Sequence, residues 1–527
     1  MAQSKKNFRI IVLVTVLLIL LTRGLTISHN MELHPDEHVF FNAAQSLKGY
    51  LSGSSPIYEE EKEYPEGAIV FQLPIHIATA IINRVFNACI SPQLSVRIAA
   101  VFYFTLGAVL GLFLIYRYFS ENPVHLTLYS LILVFSLVHE TQSRYGTSDA
   151  ITFFLLMSVI VLTAQGLSSH NHRLLYITAA FLFEGFLTAT KYPLLFFIFI
   201  PIYGISVLLK GSKLAKKALY TALILLALLT GFALCSPKAL LDPMYIIRAS
   251  TREVGAYMGS YHISSAWTHF MSMFLYSMFY SGFPLVPVFF IVAVRKMYVS
   301  RDRSDSVQSL LYIVVPLLTA IFFIYNIFVQ LLVSRTFHPF FFLSDIYVAI
   351  AAGDWVLSGK WRKVSALILC TVMVVRGSYF IYLLSEKNDS TRLAELIFSS
   401  VDENWDTTTI LSGFLVFPDG YHDYPNVQVV NSSSERFSDP DAIKLKHGEL
   451  FIAGARDYTV YSRYYNFLPS RHNDNLDSLT WVAFLNANSE YYTGSLYPDY
   501  IYYLFGLWLM GTNGCYEFPD VNIFYCP

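Results

Sequence analysis

The stretch Ile10-Ile11-Val12-Leu13-Val14-Thr15-Val16-Leu17-Leu18-Ile19-Leu20-Leu21, followed a few residues later by Met31-Glu32-Leu33-His34-Pro35-Asp36-Glu37-His38-Val39-Phe40-Phe41, decides how the chain is read. The apolar run follows Lys5-Lys6 and Arg9 and starts like a secretory leader, but Thr22-Arg23 stands where a small-residue cleavage site would follow. It therefore predicts an uncleaved first membrane helix with a cytoplasmic start. Just beyond it, two adjacent acids lie between two histidines. Acidic side chains beside a bilayer are costly, so His34, Asp36 and Glu37 mark a candidate functional site.

The composition agrees with a membrane setting. Of 527 residues, 55% are hydrophobic and only 14% are charged, with mean hydropathy +0.48. Ordinary globular proteins carry about 25% charge. The net charge of -1 gives no basic footprint for nucleic acid. Cys89, Cys235, Cys370, Cys515 and Cys526 include no Cys-x-x-Cys pair, so neither a zinc ribbon nor a thioredoxin-like site is indicated. Cys515 and Cys526 can pair in an oxidising compartment or remain as thiols.

Further apolar runs lie near 68–90, 96–116, 123–138, 150–166, 174–190, 192–209, 218–236, 267–294, 308–333, 337–357 and 364–384. Short cytoplasmic loops collect Lys and Arg. Three loops do so here: Lys210 to Lys217, Arg295-Lys296 with Arg301 and Arg303, and Lys360 with Arg362-Lys363. Two runs separate each from the next, so the three share one side. Carried back to the basic N-terminus, this parity leaves one segment too many. The run at 68–90, with Gln72, Pro74, His76, Asn83 and Arg84, is the weakest and reads as interfacial. The fold expected is a polytopic α-helical membrane protein with about eleven transmembrane helices. Its membrane domain covers 1–384, with outer loops at 27–95 and 237–266. A small α+β extracytoplasmic domain is expected over 385–527, with a helix at Thr391–Ser400 and strands at Thr408–Val416, Val427–Val430, Asp457–Ser462 and Leu479–Phe484.

On that count Asp36, Asp149, Lys191 and Arg335 share the outer face. Asp36-Glu37 opens a helix behind Pro35, and can serve as an acidic cap or as a carboxylate that takes a proton from an attacking hydroxyl. Asp149 ends Ser143-Arg144-Tyr145-Gly146-Thr147-Ser148-Asp149 and can cap the helix it precedes. Lys191, in Thr188-Ala189-Thr190-Lys191-Tyr192-Pro193, and Arg335, in Ser334-Arg335-Thr336, can each snorkel or meet a phosphate. Tyr64-Pro65 opens the interfacial segment and can line a cleft. No nucleotide-binding glycine motif is present.

Taken in order, Asp36-Glu37, Tyr64-Pro65, Arg97, Arg144 with Asp149, Gly185 to Lys191, and Arg335 resemble the pattern of the membrane-integral glycosyltransferases of the C superfamily. The protein O-mannosyltransferase and aminoarabinose transferase group is the nearest in pattern, over about 20–350. The resemblance implies an inverting transfer from a polyprenyl- or dolichyl-phosphate sugar to a glycan, protein or lipid acceptor, at the outer face of a cell membrane or endoplasmic reticulum membrane. Asp36 would be the base, supported by Glu37. Lys191, Arg335 and Arg144 would hold the donor phosphate, and His34, Tyr64, Asp149 and Tyr192 would line the cleft. Asp36 and Glu37 can serve a divalent metal or act without one. Two departures stand out: Glu66-Gly67 follows Pro65, and Thr336-Phe337 follows Arg335. His34-Pro35-Asp36-Glu37 also resembles the dolichol-dependent mannosyltransferases of glycan assembly. A lipid-linked glycan transporter is the competing class, set aside because the polar residues gather at the outer boundary and no repeat is visible.

Overall fold

The structure, a computed structural model, describes residues 2–27, 67–88, 90–236, 286–300, 305–328 and 338–385, a few single residues such as Phe40 and Arg248, and four strands after 407. Asp36, Glu37, His34, Tyr64 and Arg335 lie outside the described residues, as do Cys515, Cys526, Thr391–Ser400, Asp457–Ser462 and Leu479–Phe484. Two compact units emerge, one built on 36–381 together with the first 29 residues, the other mainly on 382–527.

The first unit is helical. It comprises α1 (Ala2–Thr26), α2 (Gly67–Phe86), α3 (Pro92–Leu114, extended by a π turn at Ile115–Phe119), α4 (Pro123–Phe135) and α5 (Leu137–Arg144). Then come α6 (Asp149–Ser168), α7 (Arg173–Thr190), a 3-10 turn at Tyr192–Ile198 leading into α8 (Phe199–Leu209), α9 (Leu214–Cys235) and α10 (Val286–Ser300). The last three are α11 (Val315–Phe328, entered through Ser306–Ser309 and a π turn at Leu310–Val314), α12 (His338–Leu357) and α13 (Lys360–Ser385). Among the described residues, nine helices are long and apolar enough to cross a membrane, or ten if a bent pair counts as one. The starts of α3 and α4 follow from Ser91-Pro92 and Asn122-Pro123: each polar residue accepts a backbone N–H at the cap, and each proline fills a first-turn position that needs no donor.

Burial sorts the helices. α6 and α12 are the most enclosed, while α1 and α9 show stripes of leucine on the outside, as at Leu13, Leu17 and Leu21. Apolar stripes on the exterior suit lipid, where a soluble protein would place charge. The closest seam joins α7 to α9. A Cβ on Gly185 would lie 2.7 Å from the Phe232 nitrogen and 3.0 Å from the Gly231 Cα, so these two backbones touch. Small residues are what permit that approach in a membrane, where packing replaces the hydrophobic effect.

The two ends of the bundle can be told apart by contacts. Ser4 bonds Glu121 at 2.8 Å just before α4, His125 in the first turn of α4 lies 3.1 Å from Asp354, and Lys296 donates to Asp354 at 2.6 Å. Tyr203 on α8 reaches the Ser306 carbonyl. The N-terminus and the three basic loops therefore share one end. The candidate residues Asp149 and Lys191 lie at the other.

α2 does not run the length of the bundle alongside α3. Its start lies against Ala189 and Thr190 at the end of α7, and Tyr103, halfway along α3, donates to the Phe71 carbonyl at 2.6 Å. Further along, His76 and Thr79 bond Ser95 in the first turn of α3 at 2.6 and 2.8 Å. α2 thus overlaps only the half of α3 nearest the Asp149 end. The run expected as one span over 123–138 also differs: it breaks at Ser136, and α5 leaves α4 at 63°.

The second unit contains a four-stranded sheet in the order β2-β1-β3-β4, from β1 (Thr408–Ser412), β2 (Val427–Asn431), β3 (Glu449–Gly454) and β4 (Val521–Tyr525). β1 is parallel to both β2 and β3; β4 is antiparallel to β3, with Gly454 opposite Val521. Two of the expected strands coincide with β1 and β2, whereas β3 and β4 were not anticipated.

The glycine seam gives a test. Gly231→Leu places a side chain against the Leu182 carbonyl and should lower stability by about 1–3 kcal/mol. Gly24→Ala, with nothing within 4 Å of the new methyl, should be neutral or stabilise by up to about 1 kcal/mol. Thermal melts of the detergent-purified variants, followed by size exclusion, read both.

Candidate functional site

The candidate site grows from the break at Ser136. Its ψ of 128° ends the helical path of α4. With no following turn in register, the carbonyls of Leu133 and Val134 lose the amides that would have bonded them four residues on. Arg23, from the last turn of α1, supplies donors in their place: Nη2 to Leu133 O at 2.9 Å and Nη1 to Val134 O at 2.8 Å. Its Nε donates to Ser143 Oγ at 2.8 Å, and its guanidinium pairs with Glu140. Thr26 donates to the other Glu140 oxygen at 2.9 Å. Arg23 and Glu140 are both almost wholly enclosed.

α5 is consequently an unusual element: His139, Glu140, Gln142, Ser143 and Arg144 are all buried in an apolar body. A second buried pair also holds it, where His139 Nε2 meets Asp345 Oδ2 of α12 at 2.7 Å, with the imidazole stacked on Phe342. At the end of α5 stands Arg144, 4% exposed. One of its terminal nitrogens donates to the Tyr145 hydroxyl at 3.0 Å, and its Nε has no hydrogen-bond partner.

Five residues later, at Asp149, α6 begins. Ser148 occupies the cap position without a side-chain bond, so Asp149 is not the cap. Its Oδ1 accepts from Lys191 Nζ at 2.8 Å and its Oδ2 from Thr147 Oγ1 at 3.1 Å. Asp149 lies at a helix N-terminus, where the positive end of the dipole favours a carboxylate. Lys191 caps α7 from an extended backbone, with its side chain 23% exposed beside a carboxylate that is 2% exposed. Neither a solvent-seeking lysine nor a plain helix cap describes the pair. It ties the end of α7 to the start of α6. Tyr192 follows, 8% exposed, where Pro193 starts the 3-10 turn.

α2 completes the wall. Gln72 donates to the Gly146 carbonyl at 2.9 Å, and a side chain on Gly146 would strike Val96 of α3. Arg97 is buried on the next residue. Thus Arg144, Asp149, Lys191 and Tyr192 occupy one end of the bundle. The end of α1 reaches that end through Thr26, and the start of α2 through Gly67; Asp36, Glu37, His34 and Tyr64, which stand between them in the sequence, lie outside the described residues. Among the described residues, no three His, Cys, Asp or Glu gather to hold a metal ion.

The sequence reading passed over Arg23, His139, Glu140, Asp345 and Glu184. Each is an ionisable residue inside or beside an apolar run, and that position alone is a signal. Their burial also corrects the expectation that polar residues gather only at the outer boundary. Glu184, in the middle of α7, is fully enclosed and neither carboxyl oxygen has a partner.

A double-mutant cycle with Asp149→Asn and Lys191→Met should show a coupling of about 0.5–3 kcal/mol in thermal stability. Additive effects would mean that the contact does not form.

No family model and no curated protein matches the chain. Among solved structures it is similar to the crystal structure of ArnT from Cupriavidus metallidurans in the apo state, at 12% identity and TM-score 0.47, covering 86% of this chain and 94% of that one. It is also similar to the Archaeoglobus fulgidus oligosaccharyltransferase in complex with Zn and sulfate, at 10% identity and TM-score 0.43, covering 87% of this chain and 70% of that one.

Proposed function

We propose that this protein is a membrane-embedded glycosyltransferase that takes a sugar from a polyprenyl- or dolichyl-phosphate donor and transfers it, with inversion, to a glycan, protein or lipid acceptor. What supports the reading is that Lys191 and Arg144 stand at the end of the bundle where α1 finishes and α2 begins, the two helices between which Asp36-Glu37 stands in the sequence. Transfer from a phosphate-linked sugar needs a base for the incoming hydroxyl and positive charge where the phosphate leaves. Asp36 takes the proton as the acceptor oxygen attacks the anomeric carbon; Glu37 supports the acceptor or a divalent ion. Lys191, Arg144 and Arg335 receive the phosphate as its bond to the sugar breaks. Asp149 acts through Lys191, holding the ammonium at the end of α7 between turnovers, and Tyr192 and Tyr64 line the cleft. This end faces the outside of the membrane, since the basic loops at the opposite end are of the kind retained in the cytoplasm.

A lipid-linked glycan transporter is the second reading, favoured by one observation: the unpartnered Glu184 within α7. Against it, Arg23 with Glu140, His139 with Asp345, and Lys191 with Asp149 are pairs that lock helices together, which a conduction path does not require. Reconstituted vesicles separate the two, because a transporter moves labelled lipid-linked sugar between leaflets without breaking the glycosyl bond.

In detergent or nanodiscs with candidate polyprenyl-phosphate sugars, Asp36→Asn should reduce turnover by roughly 10²–10⁴-fold while donor binding is retained. Undiminished turnover would remove Asp36 from the role of base. Lys191→Met should weaken donor binding as well as turnover.

A further inference from the structure

We propose that Arg23 is a positioning residue: together with Glu140 it fixes the short helix α5, and so sets where Arg144 stands against the donor phosphate. The inference rests on the reading of Arg144 as a phosphate contact. Arg144 ends a helix of only eight residues, too short to hold its place by its own hydrogen bonds. It leaves α4 at 63°, so α4 does not set its direction either. What fixes it is lateral. Arg23 spans the break by bonding the Leu133 and Val134 carbonyls on one side and Ser143 and Glu140 on the other. Ser143 adjoins Arg144 in sequence, and Glu140 lies one turn before it. The His139–Asp345 contact adds a hold from α12.

The Ser143 and Glu140 contacts bring the Arg23 guanidinium to the residue before Arg144 and to one turn behind it, and the Arg144 Nε is left without a hydrogen-bond partner. That nearly buried donor is costly in the resting protein. It is explained if an anionic oxygen arrives there, which requires that Arg144 be held in place beforehand.

Arg23→Met alone leaves Glu140 buried and unpaired and can unfold the protein, so the informative variant is the double replacement Arg23→Met with Glu140→Leu, which removes the charges together and keeps the volume. The full-length protein in nanodiscs is titrated with undecaprenyl phosphate, and affinity and melting temperature are read together. The double variant should melt below the wild type, because the Leu133 and Val134 carbonyls lose their donors, yet stay folded and bind the lipid phosphate about tenfold more weakly. Arg144→Gln should weaken binding comparably, and adding it to the double variant should cost little more.

Wild-type affinity in the double variant, with Arg144→Gln impaired, overturns the positioning role and leaves the phosphate contact standing. Wild-type affinity in Arg144→Gln overturns both. Should the double variant not fold, Arg23→Lys decides: it keeps the charge facing Glu140 but cannot reach all four acceptors. Weakened affinity then supports the proposal and unchanged affinity overturns it.

Discussion

Arg23 facing the broken end of α4 is the interaction on which the rest of the helical unit depends. A guanidinium in an apolar interior is tolerable only when its donors are met and its charge is balanced. Two stranded carbonyls, a hydroxyl and a carboxylate meet those needs together. The same contacts cure the defect that the break at Ser136 creates, because carbonyls without amides are as costly in lipid as a lone charge. Neither feature is stable without the other. Removing one partner of such a pair costs about 3–5 kcal/mol, a large fraction of a typical folding free energy.

From that lock the geometry of the far end follows. α5 stops at Arg144, the chain turns through four residues, and α6 starts at Asp149 where the carboxylate can receive Lys191 from α7. α7 is itself held in depth by the glycine contact with α9, which sets how far Lys191 projects. α2 then closes over the turn through Gln72 and Gly67. The candidate site is therefore the meeting point of four helix ends, and Asp149 and Lys191 are paired across two of them.

Much of this architecture was legible in the apolar runs. Most of them became helices at nearly the expected places, since a stretch that must satisfy its own backbone in lipid has little choice but helix. The charge parity of the loops pointed to 68–90 as a surplus, interfacial segment, yet α2, which covers most of it, is long and apolar enough to cross a membrane. What could not be read was pairing. Asp149 and Lys191 were each singled out, but each with a local explanation, because the partner lies on another helix. His139 to Arg144 scored as a loop because hydropathy treats charge as a sign of water. The break at Ser136 has no proline or glycine to announce it. In the second unit, β3 and β4 escaped notice because each is short and carries a polar residue, Glu449 or Asn522, within it.

The pairing of β3 with β4 has a consequence for how the second unit tolerates change. Gly454 and Val521 are direct neighbours in the sheet, so the chain leaves and re-enters at points roughly 5 Å apart. Everything over 455–520 is, in topological terms, an excursion from a closed doorway. Its length can grow, shrink or be exchanged at little entropic cost, and the four strands need not register the difference. A connection whose two ends are fixed side by side is where changes of length can accumulate without disturbing the frame.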